Sequence, residues 1–309
     1  MERRDFIRKS FLYGAVAGLG TSALGSFTPA LAGLRPHITK GNYDLAAVRG
    51  TDLVAMFESA MQEMGGMSQW VKPGQTVVVK PNIGWDVIPD RAANTNPELV
   101  GAVVRHCLQA GASRVTVFDH TCDNWRRSYE NSGIEKAARD AGARIVPGNF
   151  ERNYRDITIP GAVRLKDAKV HEQILENDVF INVPVLKHHS STRLTIAMKN
   201  LMGIVWDRRY WHRNDLNQCI ADFCLYRKPD LNIVDAMLVM TRNGPRGTST
   251  ADLVRKNSLL VSSDIVAVDA ASAMIFGEEP ANVGHLAIAE RMNIGNLDLT
   301  KLNIQRVYM

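Results

Sequence analysis

Short apolar segments rich in β-branched residues alternate along this chain with segments whose apolar residues recur at helical spacing. The run Thr76–Lys80 is β-branched and follows a Lys-Pro-Gly turn. The segment 97–110 begins with proline and is followed by glycine, as helices often are. Because parallel strands need long crossover connections, which are usually helical, this alternation predicts an α/β fold. We expect a mainly parallel sheet with helices on both faces.

The same criteria divide the rest of the chain into strands and helices. The predicted strands are 45–48, 76–80, 114–119, 144–147, 178–183, 231–234, 258–261 and 304–308, and the predicted helices are 52–64, 97–110, 134–141, 215–226, 265–276 and 283–292. The stretch 148–162 has no helical pattern. It is where a boundary would fall if the chain forms two lobes around a cleft.

The composition is that of a globular protein. The chain has 309 residues, of which 45% are hydrophobic and 22% are charged, and these values exclude disordered, collagen-like and coiled-coil classes. A chain of this length buries roughly three quarters of its unfolded surface and needs no disulfide to fold. The net charge of +5 is compatible with an anionic ligand and does not require nucleic acid.

Residues 1–32 are predicted to be an export signal. Two arginines at positions 3 and 4, followed two places later by phenylalanine, resemble the twin-arginine signal. A weakly apolar stretch follows, and Ala30-Leu31-Ala32 is typical of a cleavage site. The alternatives are an uncleaved anchor and the amphipathic helix of a cytoplasmic protein. We expect a periplasmic protein that the twin-arginine machinery exports after folding, with residues 33–309 as its α/β domain.

Three polar loops directly follow predicted strands, at the edge where open α/β sheets bind their ligands. They begin at residues 80, 119 and 184, and the alternative for each is a solvated loop without a role. The loops supply the candidate catalytic residues Lys80, Asp119, His120, Lys187 and His188, and the candidate substrate-binding residues Asn82 and Arg126. Either lysine would act as a base if burial lowers its pKa.

The third loop leads into residues 193–203, which we predict to be helical. Thr192, Thr195 and Lys199 lie three and four positions apart, so one helical face would present all three. A helix N-terminus near residues 190–192 would add free N–H groups. These residues, with Asn200, are predicted to bind a carboxylate or phosphate. The alternative is a capped helix with an exposed lysine.

The segment 184–203, with Lys187-His188, Thr195 and Lys199-Asn200-x-x-Gly203, resembles the hallmark of the family known as domain of unknown function 362 (DUF362). Further matches in the same order are Val78-Val79-Lys80-Pro81-Asn82, Asp235-Ala236, Asn243-Gly244-Pro245 and Asp264-x-x-Ala267-x-Asp269. The resemblance covers about residues 44–290. It implies a fold and a candidate site more readily than an activity.

Many relatives in this family carry a ferredoxin-like segment with several Cys-x-x-Cys motifs. The four cysteines of this chain form no such motif, which disfavours an iron–sulfur cluster. Cys122 lies in a polar loop beside His120 and Asp123, and is a candidate ligand or nucleophile.

Histidines and carboxylates near these loops leave open a divalent metal site, although the cofactor itself stays unknown. The candidate ligands are His189, His212, Asp235 and Asp269. Such a set suits zinc, nickel, iron or manganese without choosing among them. Asp264 has another interpretation, because it is placed to cap the helix that begins at Ile265.

The segment 205–213 interleaves aromatic residues with arginines, as surfaces that bind single-stranded nucleic acid do. Export argues against nucleic acid. An arginine-bearing lid over an anionic ligand fits better, since arginine binds carboxylate or phosphate with two N–H groups. The alternative is a surface that contacts a partner protein or a second copy of the chain.

Two functional hypotheses follow. The first is an exported enzyme that acts on a small anionic molecule, with a metal as an optional participant. The second is a non-catalytic protein that holds a metal, a cofactor or a partner of an exported redox complex. An enzyme should bury a lysine or carboxylate with a strongly shifted pKa in a cleft, whereas a binding protein allows a shallow charged basin.

The export signal can be tested directly. Replacing Arg3 and Arg4 by lysine should leave folded precursor in the cytoplasm, because the paired arginines carry the resemblance to the signal. Fractionation followed by immunoblotting measures this, and an unchanged periplasmic yield would show that the pair is not an export signal.

Overall fold

The computed structural model describes residues 43–309, so the predicted export signal lies outside the described residues. The strands are β1 Leu45–Arg49, β2 Thr76–Pro81, β3 Arg114–Val117, β4 Arg144–Ile145, β5 Tyr154–Thr158, β6 Asp167–His171, β7 Val179–Val183, β8 Val185–His189, β9 Arg193–Thr195, β10 Leu231–Met240, β11 Leu253–Ser262 and β12 Ile304–Tyr308. The helices are α1 Leu53–Glu63, α2 Pro97–Gln109, α3 Trp125–Asn131, α4 Ile134–Asp140, α5 Glu172–Glu176, α6 Ala197–Asn200, α7 Arg208–Arg213, α8 Leu216–Phe223, α9 Ile265–Phe276 and α10 Gly284–Arg291.

A mixed sheet forms the centre of the molecule. Its strands follow the order β12-β1-β11-β10-β7-β2-β3-β4, while β8 pairs with β10 and β9 pairs with β8. The strands β10, β7, β2, β3 and β4 are parallel, and β11 runs antiparallel to both of its neighbours. A separate antiparallel pair consists of β5 and β6, and β5 lies within the stretch 148–162 where a lobe boundary is expected. The predicted α/β fold with a mainly parallel sheet is confirmed.

Two apolar clusters cover the two faces of the sheet. Successive residues of a strand point to opposite faces, so Val78 of β2 belongs to one cluster and its neighbours Val77 and Val79 belong to the other. The first cluster includes residues from α6 to α10, and the second includes residues from α1 to α4. Burial on both faces explains why the central strands are almost uniformly apolar.

Local sequence signals fix the ends of the main helices. The Asn96 side chain accepts a hydrogen bond from the Glu98 N–H at the start of α2, and Pro97 occupies the first turn. Asp264 accepts from the N–H groups of Val266 and Ala267, so it caps α9 as expected. No helix among residues 43–309 has both the length and the apolar character that a membrane crossing requires.

The predicted helix over residues 193–203 is wrong at its beginning. Strands β8 and β9 form an antiparallel hairpin, and only Ala197–Asn200 is α-helical, continued by a 3₁₀ turn over Leu201–Ile204. Residues 193–195 pair with β8 as an extended strand, a geometry that the three-and-four spacing concealed. Both carboxylate oxygens of Asp269 accept hydrogen bonds from the first N–H groups of α6, which are therefore not free for a ligand.

Candidate active site

The candidate site is a small cavity at the carboxyl ends of β2 and β3. Its volume is about 70 Å³, which corresponds to roughly two water molecules, and it admits a small group rather than a whole large ligand. Parallel strands β2 and β3 deliver their following residues to the same edge of the sheet, and β8 and α6 close the cavity. Its lining includes Lys80, Asn82, Asp119, His120, Cys122, Lys187, His189, Thr195, Lys199, Asn200, Met202, Gly203 and Arg208.

Lys80 and Asp119 form a buried ion pair at the base of this cavity. The Lys80 Nζ lies 2.9 Å from Asp119 Oδ1, and both side chains are almost fully buried. Nζ also donates to the Pro81 carbonyl and to Asn200 Oδ1, so three oxygens surround the three N–H bonds of an ammonium. Burial lowers the pKa of Lys80 and raises the pKa of Asp119, but the attraction between the two charges opposes both shifts. This matched geometry favours the charged pair.

Lys187 is buried without a carboxylate partner in the described part of the chain. Its Nζ donates to the Ala93 carbonyl and, at 3.1 Å, to Asn82 Oδ1. Burial, together with the nearby charge of Lys199, lowers the pKa of Lys187 to about 7. A neutral amine has two N–H bonds and one lone pair. Both N–H bonds match the two acceptors, so the lone pair is available for a proton.

Asn82 and Asn200 connect these two lysines. Asn82 Nδ2 donates to Asn200 Oδ1 at 2.9 Å, and that oxygen also accepts from Lys80. Asn200 Nδ2 donates in turn to Asn182 Oδ1 at 2.8 Å. Because each amide is bonded on both sides, the positions of Lys80 and Lys187 are fixed relative to one another.

Lys199 has the least satisfied ammonium of the three. Its side chain is nine-tenths buried, and its Nζ donates to the Met202 thioether sulfur at 3.0 Å, which is a weak acceptor. Burial lowers the pKa of Lys199 to about 8, and the charges of Arg208 and Lys80 act in the same direction. The described residues supply no carboxylate to this lysine, so its donors can serve a ligand.

Arg208 and His120 also line the cavity. The Arg208 guanidinium donates to the carbonyls of His120 and Thr121, both at 2.8 Å, and it has further N–H donors. His120 stacks on Trp206 with a centroid distance of 5.0 Å, and its Nδ1 lies 3.0 Å from the Val205 carbonyl. Burial and the charge of Arg208 lower the pKa of His120 to about 4, so it is neutral at pH 7.

The electrostatic balance of the cavity is positive. Four basic side chains line it, from Lys80, Lys187, Lys199 and Arg208, against the single carboxylate of Asp119. His189 also contributes a neutral ring, since burial and the charge of Lys199 lower its pKa to about 2. A buried excess of positive charge is costly unless an anion compensates it.

Several predicted site residues lie elsewhere. The Thr192 hydroxyl donates to the Leu194 carbonyl inside the hairpin turn, whereas Thr195 does line the cavity. Arg126 is exposed, with its guanidinium over the Trp125 ring. His188 accepts a hydrogen bond at Nδ1 from the Gly244 N–H. Neither Thr192, Arg126 nor His188 is part of the cavity wall.

The four proposed metal ligands are not gathered in one place. Asp235 accepts from the N–H groups of Asn96 and Met237 beside a different cavity, and Asp269 is bonded to the first turn of α6. His189 lines the candidate site, but His212 does not. Within residues 43–309, no group of three or more His, Cys, Asp or Glu side chains could hold a metal ion. The described residues therefore do not gather the four candidate ligands into one metal site.

Three contributors to the cavity had no clear signal in the sequence. Arg208 was one arginine among several in the segment 205–213, and Gly203 was only the last residue of a family motif. Met202 carried no polar signal at all. Their importance depends on the turn after α6, which brings them against the ends of β2 and β3.

The fold and the cavity define an α/β protein with a cation-lined pocket at the carboxyl edge of its sheet. Residues 77–274 match the family model described as Domain of unknown function (DUF362), which is more than half of the chain. The chain belongs to this family.

One relative and two solved structures are similar to this chain at low sequence identity. The thylakoid-associated protein sll1697 of Synechocystis sp. (strain ATCC 27184 / PCC 6803 / Kazusa) is 28% identical over 250 residues, which cover 78% of this chain and 75% of that protein. The lactate racemase apoprotein from Thermoanaerobacterium thermosaccharolyticum has a TM-score of 0.44 and 12% identity, over 71% of this chain and 54% of that one. A protein from Thermotoga maritima has a TM-score of 0.44 and 13% sequence identity, and the match covers 62% of this chain and 52% of that one. The match spans about half the length of these two structures.

Gly203 offers a test of the ion pair. A Cβ at this position would lie 1.8 Å from Asp119 Oδ1 and 2.6 Å from Lys80 Nζ. We therefore expect Gly203→Ala to lower the free energy of unfolding by about 3–5 kcal/mol, the range for disrupting a buried ion pair. Chemical denaturation measures the change.

Gly50→Ala is the matched control, because its added Cβ would meet side-chain atoms of Met56 and Met309 no closer than 3.1 Å. We expect a clearly smaller loss there. Equal losses in the two variants would mean that the ion pair tolerates the intrusion and is not rigidly held.

Proposed function

We propose that this protein is an enzyme that acts on a small anionic molecule. The observation that carries the proposal is that two basic side chains of the cavity, Lys199 and Arg208, have no carboxylate partner within the described residues. The side chains that line this cavity carry more positive than negative charge. A carboxylate or phosphate group fits the cavity volume. Its oxygens would accept hydrogen bonds from both side chains.

Lys187 is the proposed base. Its pKa of about 7 leaves a substantial neutral fraction at physiological pH, and general bases work best near the operating pH. His120 is a weaker candidate, because its pKa of about 4 makes it a poor proton acceptor. Lys80 is held as an ammonium by three oxygens and serves to position Asn200 and Asp119. The reaction class is proton abstraction from the molecule whose anionic group is bound beside Lys187.

The rival hypothesis is a binding or assembly protein with the same pocket and no turnover. The shifted pKa of Lys187 favours the enzyme, since a simple anion receptor would gain affinity from a fully charged lysine.

Export to the periplasm remains part of the proposal and depends on the twin-arginine pair described above. A partner protein or a second copy of the chain is likewise proposed only from the arginine-rich segment 205–213.

The first test removes the unpaired ammonium. Lys199→Met preserves side-chain length and should weaken the binding of inorganic phosphate or acetate by roughly 10- to 150-fold, equivalent to about 1.5–3 kcal/mol. Isothermal titration calorimetry measures the affinity. The melting temperature of the ligand-free variant should rise, because a buried amine with only a thioether partner is replaced by an apolar side chain.

Lys166→Met is the control for this experiment, since Lys166 is exposed and lies outside the cavity. It should bind phosphate and acetate as the wild type does. Unchanged affinity in Lys199→Met, or a large loss of stability without ligand, would assign Lys199 to the fold and refute the anion site.

A second test uses pH. Lys199 has a pKa of about 8 in the empty cavity, and an anion that contacts its ammonium must raise this pKa further. Binding therefore takes up protons, and affinity should fall as pH rises from about 7 to 9, by up to roughly tenfold per pH unit for each proton taken up.

Sulfate is the suitable probe, because its own charge does not change in this range. Titrations in two buffers with different ionisation enthalpies count the protons directly. In Lys199→Met the proton uptake at pH 8 should decrease. Affinity that is constant or increases between pH 7 and 9 would contradict the assignment of a titrating lysine to this site.

A further inference from the structure

We propose that Cys122 is a nucleophilic residue of the cavity and forms a covalent bond with an electrophilic carbon of the bound anionic molecule. The inference rests on the proposed function, because Lys199 and Arg208 would hold the anionic group. It adds a reactive group that the proton-transfer mechanism does not use.

Cys122 is held at the rim of the cavity. Its backbone N–H donates to the Gly84 carbonyl at 2.8 Å, and its Sγ lies 3.5 Å from an Arg208 guanidinium nitrogen. The residue lines the same cavity of about 70 Å³ as Lys187 and Lys199. Lys199 and Cys122 both line this cavity, so a molecule whose charge contacts Lys199 shares the cavity with Sγ.

The surrounding charges suit a sulfur that becomes negative. The Arg208 guanidinium lies 3.5 Å from Sγ, and Lys80, Lys187 and Lys199 line the same cavity as the sulfur. Lys199 supplies an independent indication of a ligand, since it is nine-tenths buried and has only the Met202 sulfur as a partner in the described chain. The cysteine is therefore part of a built cationic site.

The chemical step balances without an oxidant or a reductant. The Cys122 thiol gives its proton to the neutral Lys187 amine, which becomes an ammonium. The sulfur electron pair forms a bond to the electrophilic carbon, and the bond from that carbon to its leaving group breaks. The leaving group departs with its electron pair, and the product is a thioether to the anionic molecule.

The other cysteines provide internal controls within the same molecule. Cys107, Cys219 and Cys224 are buried and unpaired, and burial raises the pKa of each thiol, to about 12 for Cys107 and Cys219. Buried thiols of this kind react slowly. Only Cys122 is exposed among the four cysteines of the chain.

Iodoacetate and iodoacetamide test the proposal as a matched pair of reagents. Both present the same electrophilic carbon and the same iodide leaving group, but only iodoacetate carries a carboxylate. Alkylation rates at Cys122 are measured by peptide mass spectrometry in the folded protein and in denaturant. We expect the iodoacetate-to-iodoacetamide rate ratio to be about tenfold or more higher in the folded protein, as a positive cleft accelerates an anion. Sulfate should slow the iodoacetate reaction selectively.

The variants separate this inference from the proposed function. Lys199→Met should lower the rate ratio towards its value in denaturant, whereas Lys166→Met should leave it unchanged. A ratio in the folded wild type equal to that in denaturant would overturn the role of Cys122. If calorimetry still shows sulfate binding that depends on Lys199, the anion site stands without it. If sulfate does not bind and the ratio does not depend on Lys199, both proposals are wrong.

Discussion

Lys80 and Asp119 bring opposite charges to the ends of two neighbouring parallel strands, where both are almost completely removed from water. Their attraction cannot by itself repay the cost of desolvation, so the surrounding hydrogen bonds decide whether the pair is stable. Asp119 Oδ2 accepts from the Ile83 N–H at 2.7 Å, and Lys80 reaches two further oxygens. Gly203 lies against both side chains and leaves no room for a Cβ. The two strand ends and the turn after α6 are thereby joined at one point, and the rest of the cavity is assembled around it.

The three buried lysines differ because their acceptors differ. Lys80 meets three oxygens, one of them charged; Lys187 meets two neutral oxygens; Lys199 meets one sulfur. The number and charge of these acceptors determine how much of the lost hydration each ammonium recovers. Under the proposed function, the same side-chain type therefore serves three purposes in one cavity: a structural cation, a proton acceptor and a donor to a ligand. Such an arrangement reduces the stability of the empty protein, which is typical of a site that binds or reacts.

The sheet and its helices could be predicted because the pattern of apolar residues directly encodes strand and helix periods. The convergence of Lys80 and Asp119 followed from the rule that parallel strands deliver their loops to one edge. The hairpin of β8 and β9 could not be predicted, because the spacing of Thr192, Thr195 and Lys199 is that of one helical face. In the structure these residues lie in a turn, a strand and a short helix, respectively. Asp235 and Asp269 are candidate metal ligands in the sequence because a sequence shows a carboxylate but not the backbone N–H groups that donate to it.

The position of Lys199 depends on a contact far away in sequence. The Asp269 carboxylate, on α9, accepts from the N–H groups of Ala197 and Met198 and so orients the single turn that carries Lys199 and Asn200. Asn200 contacts Lys80, while Lys199 faces the cavity. A four-residue helix has little stability of its own, because helix nucleation is unfavourable. The aspartate on α9 therefore belongs to the site through geometry rather than chemistry: it holds in place the turn from which Asn200 contacts Lys80 and Lys199 faces the cavity.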